Sequence, residues 1–289
     1  MAIYHHRRWT DVRDRRERQS VRQLAAFISV SQPYAGAFLN TVPARRDLMI
    51  VSRLFEIMIQ RRLGVPIALL EGRTYSPRFN KVLDPYGDVF QHSVHNGRRH
   101  NRIRDVWYRA IKAAYGDFEV YQESPLAGNF SPDYKPDIYR KDGKSLDLHH
   151  IYELKVASAL SRHALTHGQH AAFGGTEDFF RRRILGEPDP NTGRYHGADA
   201  DYAHALRNGH VVEPIIMETF GGFTPSACKL IRTLAKVHGA DLGSDSNAPW
   251  CARSFKSIYT QRLSVTLQRV TAEEIFYAIR NDSVADNSA

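Results

Sequence analysis

A chain of 289 residues that is 42% hydrophobic and 25% charged can bury a core, which excludes disorder along its whole length. That length suits one large domain or two ordinary ones of roughly 100–200 residues. Forty Lys and Arg against 31 Asp and Glu leave a formal charge of +9, which raises the expectation of a polyanionic partner. No apolar run approaches the ~20 residues that cross a bilayer. The basic start, MAIYHHRRWTDVRDRRERQ, has no apolar stretch behind it, so an intracellular protein with no membrane partner is expected. Cys228 and Cys251 are too few for a disulfide framework or a four-cysteine zinc site.

Residues 1–22, with seven Arg among three acids, read as a solvated basic arm. A helical module and loop region follows over 23–97. There Leu48, Val51, Leu54, Phe55 and Met58 recur at helical spacing, Gly64 and Pro66 end the helix, and Gly, Pro, Asn and Asp crowd 68–97. The core is expected over 98–240. It opens on a helix carrying Ile103, Val106, Trp107, Ala110, Ile111, Ala114 and Tyr115 on one face, with Gly116 after it. Arg102, Arg104, Asp105, Arg109 and Lys112 take the other face. Strand-like runs come next at 118–123, 135–140 and 150–156, then a β-rich run at 210–219 in which Pro214 argues against a central strand. Thr224 and Pro225 start a helix with Leu230, Ile231 and Leu234 inward and Gly239 at its end. A C-terminal helical extension over 241–289 has Thr271 and Glu274 at capping-box spacing.

Chemistry concentrates in KPDIYRKDGKSLDLHHIYELKV, where Pro136-Asp137 precedes Glu153-Leu154-Lys155 by a 15-residue gap. Strand side chains alternate, so Glu153 and Lys155 share a face while Leu154 enters the opposite layer. If the two strands pair as a hairpin, Asp137 comes beside Glu153, and two carboxylates so placed repel unless a cation sits between them. Mg²⁺ or Mn²⁺ suits such a pair, because a hard cation is held by one or two carboxylates, waters and phosphate oxygens. Lys155 would then orient water or offset developing negative charge. An exposed Glu153–Lys155 ion pair is the plainer reading.

This spacing resembles the PD-(D/E)xK nucleases, with Asp137, Glu153 and Lys155 at the motif positions. A longer resemblance is to the endonuclease region downstream of the reverse transcriptase in non-LTR retroelement polyproteins. Its segments here are SQPYAGAFLNTVP, FEIMIQRRLGVP, DPYGD, GRRHNRIRD, KPDI, VVEPIIMETFGGFTPSACKLIRTLA and SFKSIYTQRLSVTLQR, in that order. The resemblance implies an α/β, restriction-endonuclease-like core, a mixed sheet flanked by helices, with added helical segments at both ends. It also implies a divalent-metal-dependent DNA endonuclease, with RNA as a further partner inside a retroelement complex, working in the nucleus in a eukaryote. His100-Asn101 matches the short motif that precedes the Lys-Pro-Asp motif in the family. On that reading His100 contacts the scissile phosphate and Arg98, Arg99, Arg102 and Arg104 hold the backbone; alternatively Asn101 is only an N-cap and the arginines a solvated first turn. Glu123 is a candidate third metal ligand, with Glu119 on the same face and Asp105 as competitors. Gln169, Glu177 and Arg181 fall where the fold sets a helix across the sheet, and Arg181, Arg182 and Arg183 read as an exposed face.

Two departures qualify the resemblance. The family's Cys/His zinc cluster around DPYGD has no cysteine here and only His92, His95 and His100, so zinc is not expected. A chain of 289 residues also has no room for a polymerase, so a standalone nuclease or a remnant that binds nucleic acid without turnover is expected. A basic α/β interaction protein is the reading left if the three motif residues do not converge.

Overall fold

The computed structural model describes residues 21–43, 45–76, 80–92, 97–116, 120–123, 135–142, 145–161, 175–195, 197, 199–239 and 252–286. Residues 1–20 of the basic arm, together with His95, Glu119 and Gln169, lie outside them, whereas its last two residues, Val21 and Arg22, open a helix and Arg22 pairs with Asp88. The protein is mixed α/β, with a four-stranded mixed sheet flanked by helices.

The expected helix followed by three strands is present. Helix α3 (Gly97–Tyr115) buries Ile103, Val106, Trp107, Ala110 and Ile111 at helical spacing. Gly116, at φ 97°, ends it in a conformation that suits glycine. Strands β3 (Val120–Gln122), β4 (Ile138–Asp142) and β5 (Ser145–Ala157) follow, each antiparallel to the one before. Strand β6 (Val211–Glu218) then pairs with β5 in parallel, giving the order β3-β4-β5-β6. Pro214 therefore sits in an edge strand, where a residue without an N–H is tolerated.

Each face of the sheet has its own core. On one side Ile138, Tyr152, Leu154, Ile215 and Met217 pack against α3, α6 (Pro225–His238) and the first half of α7 (Phe255–Asp286). Trp107 is fully buried there, its Nε1–H 3.4 Å from Met217 Sδ. A side chain of that kind contributes roughly 1.5–3 kcal/mol by burial. On the other side Tyr139, Ile151 and Val212 meet Ile184 and Leu185 of α4 (Gly175–Leu185) and Tyr202 and Ala205 around the short α5 (Ala203–Arg207).

Helix α1 (Val21–Val30) precedes α2 (Ser52–Leu63), and Gly64 at φ 67° stops α2 as expected. The inward face of α2 differs from the expectation. Leu54, Ile57, Met58 and Arg61 are buried, while Val51, which precedes the helix, and Phe55, at the edge of that stripe, are exposed. Burial pushes the Arg61 guanidinium down to about 10, against the pull of Asp88 and Glu274. Leu70, Leu83 and Phe90 close a further core with Val265, Ala272, Ile275 and Ile279 of α7. The loop region between them holds a small hairpin, β1 (Tyr75–Ser76) with β2 (Lys81–Val82). Gly87 in DPYGD lies so close to Ile275 that an added Cβ would stand 2.9 Å from its Cδ1. Asp84 orders the same turn by accepting the N–H groups of Tyr86, Asp88 and Val89.

Helix α7 corrects the capping-box expectation. It runs unbroken through Thr271, whose Oγ1 donates to the Leu267 carbonyl at 2.8 Å, and Glu274 is taken by Arg99. Thr224 does precede α6 with Pro225 in the first turn, but its hydroxyl bonds the Ile216 carbonyl instead of capping the helix. No helix among the described residues is long and apolar enough to cross a membrane.

At the end of β6, Glu218 is buried and accepts a 2.5 Å hydrogen bond from Ser29 Oγ. Burial pushes its carboxyl up to about 7, above the ordinary value of 4.5. A carboxyl raised on folding contributes stability that is present below its unfolded pKa and lost as pH rises through the folded one. Glu218→Gln should therefore gain up to ~3 kcal/mol over wild type at pH 8 and almost nothing at pH 4.5. Urea unfolding at the two pH values measures the difference, and equal gains at both would contradict it.

Candidate active site

Pro136 leads into β4 without an N–H to place in the ladder, and Asp137 is the residue just before the first pair, Ile138 opposite Tyr152. Continuing that antiparallel register sets Asp137 opposite Glu153. Directly opposed residues share a face, with Cβ atoms ~4.5–5.5 Å apart. The hairpin pairing of the two carboxylates thus exists in the fold, on the face that also carries Tyr139 and Ile151. Leu154 points into the other core, as alternation requires.

All four carboxylate oxygens are engaged. Asp137 Oδ2 accepts the Leu154 N–H at 2.8 Å, and His100 Nε2 lies 2.6 Å from Oδ1. Glu153 Oε1 accepts from Lys155 Nζ at 2.6 Å, and Oε2 from the Tyr202 hydroxyl at 2.6 Å. The carboxylate side chains are 9% and 8% exposed, whereas His100 and Lys155 are 28% and 27% exposed. Solvent therefore reaches the pair past His100 and Lys155. Burial, then the Asp137 charge, raises the Glu153 pKa, with Lys155 and Tyr202 opposing. Burial and the neighbouring Glu153 raise that of Tyr202, which keeps the phenol a donor.

Tyr202 is the site residue that the sequence did not indicate. It lies 49 residues beyond its partner, in a turn with no motif of its own, and only burial against a carboxylate marks it.

The remaining candidates separate. The Glu123 carboxylate is bound by Arg104 and 54% exposed, though its backbone N–H reaches the Asp137 carbonyl at 3.3 Å. Arg104 is buried, so it does not belong to the polar face of α3 as expected. Arg99 is 1% exposed and pairs with Glu274, and Arg98 pairs with Glu273. Both reach across to α7. Of the four arginines expected at the backbone, Arg102 alone is exposed and outside any ion pair among the described residues, and it stands on the side of α3 away from His100 and the acidic pair, so it is not part of this site. Asn101 lies inside α3, which begins at Gly97, and so is not an N-cap. Asp105 accepts from Gln122 Nε2 at 2.7 Å, away from the acidic pair. In α4, Glu177 accepts the Ser226 N–H at 3.0 Å and stands 3.6 Å from Arg181. Arg182 and Arg183 pair with Glu187 and Asp201.

Among the described residues no group of three His, Cys, Asp or Glu side chains stands ready as a metal cage. A pair of carboxylates is the set that Mg²⁺ uses, since it keeps several waters and takes substrate oxygens. Each carboxylate oxygen retains a second lone pair beside its present hydrogen bond. No protein-family model matches the chain, and no curated protein or solved structure matches it.

Proposed function

We propose that the protein is a divalent-metal-dependent DNA endonuclease with a restriction-endonuclease-like core, derived from a retroelement of the non-LTR kind. The observation that carries this reading is the β4–β5 register, which sets Asp137 opposite Glu153 with Lys155 and His100 at the open side. Asp137 and Glu153 would hold Mg²⁺ or Mn²⁺, and the metal would supply an activated water and charge stabilisation at the phosphoryl oxygens. Lys155, now on Glu153, is placed to turn toward a phosphate and offset negative charge as it develops. His100, anchored on Asp137, presents its ring to a backbone approaching the start of α3. Tyr202 orients Glu153 from beneath. A DNA substrate would put the activity in the nucleus of a eukaryotic host, where RNA is a further partner of any retroelement complex.

A second reading follows from the same hydrogen bonds. Because every carboxylate oxygen already has a protein donor, the residues also suit a remnant that binds nucleic acid without hydrolysing it. Incubating supercoiled plasmid with the protein separates the two. Nicking in Mg²⁺ or Mn²⁺, absent in EDTA, is expected; bound but intact plasmid under all these conditions would favour the remnant.

A further inference from the structure

On the side of α3 away from the acidic pair lies a groove of about 590 Å³, walled by α3, α7 and the turn at Arg46–Leu48. Its lining includes five arginines and three acids. Each acid is already engaged: Asp47 by Arg262 at 3.3 Å, Glu273 by Arg98 at 2.9 Å, and Asp105 by Gln122 at 2.7 Å. Arg269 is also committed, donating to the carbonyls of Asp47 and Met49. Arg46, Arg102 and Arg109 are exposed and make no ion pair among the described residues.

Three guanidinium groups outside any ion pair, in a lining of five arginines against three acids, surround a concave surface with an apolar floor that includes Leu54 and Val106 and focus positive potential into the groove. Guanidinium forks match phosphate oxygens bidentately. Tyr277, Met49 and Val51, all exposed on the groove's lining, offer aromatic and apolar surface to bases and sugars.

We infer that this groove is a second nucleic-acid-binding site, which holds the phosphodiester backbone of a flanking strand and not the scissile phosphate. The inference rests on the nuclease reading for the identity of its ligand. Helical geometry separates the two sites. Arg109 follows His100 by nine residues, or about two and a half turns, so it emerges on the opposite side of a helix ~10 Å across. A strand in the groove is therefore an anchor, and it should set affinity while leaving the chemical step alone.

The test replaces Arg46, Arg102 and Arg109 by Gln together, beside a control in which Arg194, Arg207 and Arg253, exposed elsewhere, are replaced by Gln. Binding to single-stranded DNA, duplex DNA and RNA is read by anisotropy in EDTA over a range of salt, and cleavage by kcat and KM in Mg²⁺. Affinity for at least one of the three nucleic acids should fall at least ~10-fold in the groove variant. The slope of log affinity against log salt should become shallower by roughly 2–3, since each phosphate neutralised contributes ~0.7–0.9. KM should rise with kcat unchanged, and the control should bind like wild type. Groove-dependent binding by a protein that never cleaves would remove the nuclease reading and leave this one standing. Equal binding by the groove variant and wild type, an equal loss in the control, or no binding of any nucleic acid by wild type would overturn it.

Discussion

Asp137→Ala is expected to reduce Mg²⁺-dependent DNA cleavage to background while binding in EDTA stays within about twofold of wild type. On the proposed mechanism Asp137 is a metal ligand with no contact to phosphate, whereas affinity would come mainly from the basic groups, and the asymmetry follows. Lys155→Ala should lose at least ~10²-fold in kcat, the usual effect of removing one group that stabilises charge in the transition state. It should do so with little change in KM. Plasmid nicking and anisotropy on the same preparations give both quantities. Wild-type cleavage by the Asp137→Ala protein would remove Asp137 from the mechanism.

The same site should show in stability. Asp137 and Glu153 are buried beside each other, and part of the upward shift at Glu153 comes from the Asp137 charge. Ionised Glu153 thus works against the metal-free fold, and that penalty grows as pH rises from its unfolded pKa through its folded one. A cation bound only by the folded state relieves the repulsion and adds RT ln(1 + [L]/Kd), ~2.7 kcal/mol at a hundredfold excess over Kd. For a chain of this size that corresponds to a Tm rise of several degrees, at ~2–4 °C per kcal/mol. Asp137→Asn should melt higher than wild type in EDTA at pH 8, and it should respond less to Mn²⁺. Identical melting of the two proteins with and without metal would show that Asp137 and Glu153 share no cation.

Much of the acidic pair was legible because its geometry is local. A Pro that leads into a strand, a hairpin, and the two-residue period of Glu153 and Lys155 suffice to bring three side chains together. The flanking arginines were less legible because their partners are remote. Arg99 stands one turn before Ile103, in line with the buried stripe of α3, but the Glu274 that satisfies it lies 175 residues away. Arg104 turns inward likewise, to a Glu123 that bends back at φ 44°. The capping box failed for a different reason. Thr271 and Glu274 fit its spacing, but neither Gly nor Pro interrupts residues 255–286, so the helix runs on and the threonine bonds its own preceding turn. The groove needed tertiary structure altogether, since Arg46 and Arg102 meet only when the turn before α2 packs beside α3 and α7.

The central claim is that Asp137 and Glu153 hold one divalent cation, and a Mn²⁺ titration followed by electron paramagnetic resonance measures it without relying on turnover. Wild type should remove free Mn²⁺ signal with saturation near one ion per chain, and excess Mg²⁺ should restore the signal. Asp137→Asn should bind markedly more weakly, and Glu153→Gln should do the same. Equal Mn²⁺ uptake by wild type and both variants, or no uptake by any of them, would contradict the account.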